Sequence, residues 1–331
     1  MKTYNVKNYP SYVFGVPNFE KTKEFRRLPD GLFTDMNGLG LYGQRTPGAR
    51  IGFRTDADTF TVRGRLAKMD LDKGMSIFAC QSVAVMIGER QNSKFIGLTG
   101  PDNYDTLTFE REFKKPSDVE EVTLWLPRNE PVVDIEILLP DEASFKPATP
   151  YKHARALYYG SSITEGGCCC GVTCNYVALL SRWLDLDFYN FGFSGSAKGE
   201  LEMADYINTL DFSLFVYDYD HNAPTVEHLA RTHEPFFKRI REAHPDMPVI
   251  MMTRPNFRES ADARERREVV IRTYENAVAS GDKNVYFIDG ESFFEGEDAT
   301  LCTVDTTHPN DHGFYRMAKK IYPIMKKVLE K

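Results

Sequence analysis

Gly160-Ser161-Ser162-Ile163-Thr164 sets a serine on a tight turn. Between a strand and a helix, such a turn exposes the hydroxyl and aims backbone N–H groups at the same point, as a nucleophile requires. Thr164 stands where a G-x-S-x-G motif has its second glycine, so the segment reads equally as an ordinary Gly-Ser connection. In Asn190-Phe191-Gly192-Phe193-Ser194-Gly195-Ser196, two glycines allow a turn whose N–H faces an anion, or a plain glycine turn. Within Tyr217–Pro224, Asn222 offers a side-chain N–H or caps a helix. In Asp305-Thr306-Thr307-His308-Pro309-Asn310, an aspartate three residues before a histidine can hold the ring by Nδ1–H. Nε2 is then left to deprotonate a hydroxyl. The plain alternative is a surface Asp and His without a partner. Each segment is modest alone; together, in this order, they complete a hydrolase.

These segments need a frame that brings them to one edge. From residue 151 onward, apolar runs alternate with helical ones. The runs Ala156–Tyr159, Phe188–Phe191, Phe212–Tyr217, Val249–Met252 and Val285–Ile288 read as five strands buried on both faces. Between them fall helices over about 172–184, 201–207, from Pro224 onward, and 261–279. A last helix starts near Asp311, with Phe314, Met317, Ile321, Met325 and Val328 on one stripe and a kink expected at Pro323. Strands separated by helices predict a parallel α/β sheet, whose sites form at the carboxyl ends of the strands. All four polar segments follow such ends or enter the last helix.

From Ile51 to about Leu139 the pattern changes. Thr59–Leu66 alternates with period two, and Ser76–Ala79, Val83–Ile87, Thr106–Phe109, Val122–Leu126 and Val132–Ile137 read as further short strands. Asp70–Gly74 and Gly100–Asn103 supply turn chemistry between them. Many short strands without a convincing helix predict a β-sandwich. Three prolines in Pro140–Pro150 disfavour helix and central strand, so this stretch reads as a linker, with domains at 1–150 and 151–331.

In order and content, Gly160–Thr164, Asn190–Gly195, Asp220–Asn222 and Asp305–His308 resemble the sequence blocks of the SGNH (GDSL-like) hydrolases. The match covers about residues 155 to 331, and the Asp-x-x-His-Pro-Asn block is its most specific part. The resemblance implies Ser162 as nucleophile, His308 as general base and then acid, and Asp305 as the residue orienting it. It also implies an oxyanion hole from the backbone N–H groups of Ser162 and Gly195 and the Asn222 amide. The implied fold is a flavodoxin-like three-layer α/β/α domain with a five-stranded parallel sheet, preceded by a jelly-roll β-sandwich. Ser161 replaces the aspartate usual before the nucleophile, and Asp220 and Ala223 replace the Gly and Asp that usually flank the block asparagine. The implied activity is a serine esterase removing small acyl groups, such as acetyl, from carbohydrate or other small hydroxylated molecules, with no cofactor and no metal. A thioesterase or acyltransferase using the same triad, or a non-catalytic ligand-binding protein, is the alternative.

Composition sets the outer limits. The chain has 331 residues, 41 Lys plus Arg against 48 Asp plus Glu, and a net charge of −7, which opposes a nucleic-acid partner. With 42% hydrophobic and 13% aromatic residues it can build packed cores, yet no apolar run suits a membrane span. The first ten residues lack an apolar signal-peptide core, so a cytoplasmic location is expected, with an oligomer possible. Four of the six cysteines, Cys168, Cys169, Cys170 and Cys174, crowd into seven residues. That spacing suits neither a disulfide framework nor a structural zinc site, so reduced thiols are expected, close enough to the serine turn for oxidation to impair activity. His221 reads as a pocket edge or a solvated loop residue, and His312 as a cap or surface histidine. Arg45, Arg50 and Arg54 read as salt-bridged surface, and Arg258–Arg272 as a solvated helical face. Trp125 and Trp183 fall inside apolar patterns, so a tryptophan platform for sugars is not expected.

Overall fold

A computed structural model describes residues 1–35, 38–72, 74–102, 104–255, 260–296 and 298–331. Lys73, Asn103 and Arg258, which belong to segments read above as turns and a charged face, lie outside the described residues. The chain packs as two compact units: residues 1–152 with 169–189, and residues 153–168 with 190–331.

The first unit is built on two antiparallel sheets. One runs in the order Lys2–Asn5, Val132–Leu139, Thr59–Leu66, Thr108–Lys114. The other runs Lys146–Pro147, Arg50–Arg54, Glu121–Trp125, Val83–Ile87, Lys94–Thr99, with Val13–Phe14 also paired to Arg50–Arg54. Phe60, Val62, Ile135 and Ile137 of the first sheet share one core with Ile51, Phe53, Val85 and Val122 of the second. Period two explains this: alternate residues of each strand turn inward and meet the opposite sheet.

Several local expectations need correction. Ser76–Ala79 is not a strand; Ile77–Gln81 is a helix with Ile77 and Phe78 exposed and Ala79–Gln81 buried. A short apolar run does not by itself distinguish the two. The strand expected at Thr106–Phe109 starts at Thr108 and continues through Glu110–Lys114, hidden by charges on its outer face. Part of the proline-rich stretch is paired, Lys146 with Arg54 and Pro147 with Phe53, at a sheet edge where proline is tolerated. Arg50 is not surface. It is fully buried, ion-paired to Asp187 at 2.5 Å with its guanidinium 4.0 Å from the Phe188 ring centre.

In the C-terminal half, five strands run in the order Leu186–Gly192, His153–Gly160, Leu214–Asp218, Val249–Met252, Val285–Ile288. This 2-1-3-4-5 order is that of flavodoxin-like sheets. The helices are Leu201–Ile207, Val226–Ala243, Ala261–Ala279 and Asp311–Leu329, the last running through Pro323 with the expected apolar stripe buried. The helix expected from 172 begins only at Tyr176, because Asn175 Oδ1 caps it by accepting from Ala178 N–H at 2.9 Å. Thr225, not Pro224, starts the long helix, its Oγ accepting from His228 N–H. No helix among the described residues is long and apolar enough to cross a membrane.

Candidate active site

Strands His153–Gly160 and Leu214–Asp218 are parallel neighbours, with Gly160 opposite Asp218, so both run out at the same edge. Gly160 must be glycine: a Cβ there would stand 2.1 Å from Asp218 O and from Thr164 Oγ1. The chain can then turn at once into the one-turn helix Ser162–Glu165. Ser161, in the place of the family aspartate, caps that turn; its Oγ accepts from Ile163 N–H at 3.1 Å while its own N–H donates to Asp218 O. Thr164 Oγ1 donates to Asp218 Oδ2 at 3.0 Å, tying the turn to the next strand.

Ser162 Oγ lies 2.8 Å from His308 Nε2, and His308 Nδ1 lies 2.7 Å from Asp305 Oδ2. The other carboxylate oxygen of Asp305 accepts from the backbone N–H of His308 at 2.7 Å and of Thr307 at 3.0 Å. Burial raises the Asp305 pKa, but these N–H donors and the His308 ring outweigh it and hold the carboxyl below its ordinary value. An ionised carboxylate only accepts, so the proton sits on Nδ1 and Nε2 is the acceptor for the Ser162 hydroxyl. Asn310 then caps the last helix, its Oδ1 accepting from Gly313 N–H at 3.0 Å.

The loop after Leu186–Gly192 is held against the serine turn. Asn190 Nδ2 donates to Thr164 O at 2.8 Å, and Phe193 N–H donates to Gly160 O at 2.9 Å. Gly192 packs so closely that a Cβ would stand 2.1 Å from Glu165 N. Phe193 O gathers three donors, the N–H groups of Ser196 and Ala197 and Asn222 Nδ2 at 2.8 Å. The two residues after Gly195 and the Asn222 side chain are thereby fastened to the same carbonyl from two strand ends, and one N–H of the Asn222 amide is left over. Gly195 has φ +65, a left-handed conformation natural to glycine.

Three participants are missing from the sequence reading. Glu165 is fully buried and accepts from Ser194 N–H at 3.1 Å and from the Ser194 hydroxyl. Asp218 anchors the serine turn. Arg254 donates from Nη1 to the ring of His221, which is a bonded, half-buried residue. None carries a local signal, since each partner lies dozens of residues away in sequence. Among the cysteines, Cys170 Sγ and Cys174 Sγ lie 3.9 Å apart.

No curated protein matches the chain in sequence. Among solved structures, a protein from Bacteroides ovatus described as a candidate GDSL-like lipase superposes with TM-score 0.85 at 24% identity, covering 99% of this chain and 98% of that one. A salicylyl-acyltransferase from a tetracycline biosynthetic pathway gives 0.82 at 18% identity, covering 99% and 97%. An acetyl xylan esterase from the rumen bacterium Butyrivibrio proteoclasticus gives 0.60 at 12% identity, covering 100% of both. These likenesses are of fold. The model of the GDSL-like Lipase/Acylhydrolase family matches residues 153–326, more than half of the chain. The chain belongs to that family of ester-hydrolysing enzymes.

Proposed function

We propose that this protein is a serine esterase that removes small acyl groups, acetyl above all, from carbohydrate or other small hydroxylated molecules. The reading rests on one observation, the continuous hydrogen-bond chain from Ser162 Oγ through the His308 ring to Asp305. His308 Nε2 takes the Ser162 proton as Oγ attacks the ester carbonyl, and Asp305 steadies the imidazolium that forms. The N–H groups of Ser162 and Gly195, with the remaining Asn222 N–H, receive the charge growing on the carbonyl oxygen. Losing one such donor typically costs about 10²–10³ in rate. His308 then gives its proton to the leaving alkoxide, and water repeats the cycle on the acyl-enzyme. Residues 1–150 act as an accessory domain and 151–331 as the catalytic one.

The acyl size and the sugar are suggested by the carbohydrate esterases that share the fold. An acyltransferase is the second reading, favoured by the likeness to the salicylyl-acyltransferase, and differs only in which hydroxyl receives the acyl group. A fluorophosphonate probe should label Ser162, and 4-nitrophenyl acetate should be cleaved faster than long-chain esters. Unlabelled Ser162, or full activity in Ser162→Ala, ends the esterase reading. Transfer to an added alcohol outpacing hydrolysis favours the transferase.

A further inference from the structure

At the sheet edge that carries the proposed triad stands a cation that ester cleavage itself does not use. Tyr217 is opposite Met251 in parallel strands, so Val249–Met252 ends at the same sheet edge as the strands leading to Ser162 and Asn222. Arg254 is two residues past that end. Its backbone N–H donates to Asp220 Oδ2 at 3.2 Å, and its Nη1 lies 3.2 Å from His221 Nδ1 and within bonding distance of Nε2. His221 directly precedes Asn222.

Asp220 and Asp262 act on this guanidinium through space, but neither forms an ion pair with it. Burial, followed by Arg254 and Arg266, pushes His221 down to about 3, and the His308 ring contributes in the same direction. A neutral imidazole accepts a hydrogen bond without cancelling charge. Asp262 is engaged with Arg266 at 2.8 Å. Asp220 is buried and its Oδ1 has no partner; burial raises its carboxyl against the pull of the Arg254 backbone N–H and of the Arg254 and Arg266 charges. Among the described residues, no carboxylate oxygen lies within 4 Å of the Arg254 guanidinium, and its Nε and Nη2 have no partner, although the residue is partly exposed.

We infer that Arg254, held by His221, selects substrates carrying a carboxylate close to the scissile ester, which its open Nε–Nη2 edge grips in bidentate fashion. This inference rests on the esterase reading. The carboxylate belongs either to the acyl part, as in a dicarboxylic half-ester, or to the alcohol part, as in an acylated uronic acid.

Two matched pairs separate these sources. The first is 4-nitrophenyl hemisuccinate against its methyl ester, and the second is acetylated glucuronic acid against acetylated glucuronamide. A charge-assisted hydrogen bond is worth about 1.5–3 kcal/mol, so the acidic member of one pair should be favoured by about tenfold or more in kcat/KM, mainly through KM. Added salt should shrink that preference. Arg254→Gln should abolish the ratio and Arg254→Lys should keep part of it; if Arg254→Gln does not fold, the salt dependence of the wild-type ratio carries the test. Equal rates within both pairs, or a ratio that survives in Arg254→Gln, would overturn the inference and leave the esterase reading standing. No turnover of any of the four esters, with Ser162 unlabelled, would take both down.

Discussion

With one carboxylate oxygen on the backbone of its own loop and the other on the His308 ring, Asp305 does two separable things. Asp305→Asn keeps a carbonyl oxygen for the backbone N–H groups, but its amide donates to Nδ1 and forces the proton onto Nε2, where the base should be. The expected outcome is a fall in kcat of about 10⁴-fold, as for the equivalent change in another serine hydrolase, with little change in thermal midpoint. A variant that loses folding and activity together would instead give Asp305 a purely structural role. Ser162, His308 and Asp305 could be singled out in the sequence through the joint resemblance of their blocks to a family, since the serine turn and the Asp-x-x-His spacing are each modest alone. Arg254 and His221 could not be joined in this way, because 33 residues separate them and only the parallel pairing of their strands brings them together.

Strands and turns set the tolerance of the site to added bulk. At Gly160 and Gly192 a methyl group would meet backbone atoms at 2.1 Å, not the end of a flexible side chain. Overpacking a closed site costs about 1–3 kcal/mol, and a backbone collision that forces the serine turn off its strand belongs at the top of that range or above. Gly160→Ala and Gly192→Ala should therefore lower both the thermal midpoint and kcat, whereas Gly281→Ala, with open space around it but φ +90, should lower only stability. A Gly160→Ala protein with unchanged kcat would show that the turn relaxes freely. At this scale the parallel strands were legible from buried apolar runs five residues or so long. Glu110–Lys114 and Ile77–Gln81 were not: in the first, outward charges mask the inward Phe113, and in the second the apolar run has no period to read.

For the whole molecule, the informative quantity is how much ionisable chemistry each unit encloses. In the first, Arg50 and Asp187 are paired and almost wholly buried, so Asp187→Ala leaves an enclosed cation and should cost about 3–5 kcal/mol, read from denaturant unfolding. In the second, His221 and His233 are both pushed down to about 3 by burial, His221 with help from Arg254 and Arg266. His233 faces the rings of Tyr217 and Tyr219 and bonds Thr273 Oγ1 at 2.8 Å through Nδ1. Unfolding returns these rings to an ordinary value near 6.5, so between that pH and about 3 the unfolded chain binds protons that the folded chain refuses. Stability therefore falls as pH drops through this window, by up to about 1.4 kcal/mol per pH unit for each histidine. Glu121, Glu130 and Asp220, raised by burial, act in the opposite sense above the ordinary carboxylate range. Their contribution cancels when two proteins sharing them are compared. His233→Asn offers an amide where Nδ1 stands; it should lower stability at every pH by a constant amount, through lost packing. Its stability curve between about pH 6.5 and 5 should also be flatter than that of the wild type, by up to about 1.4 kcal/mol per unit. Parallel curves across that range would mean that His233 takes up a proton in the folded protein as readily as in water, and that its enclosure between the tyrosines opens on a small local motion.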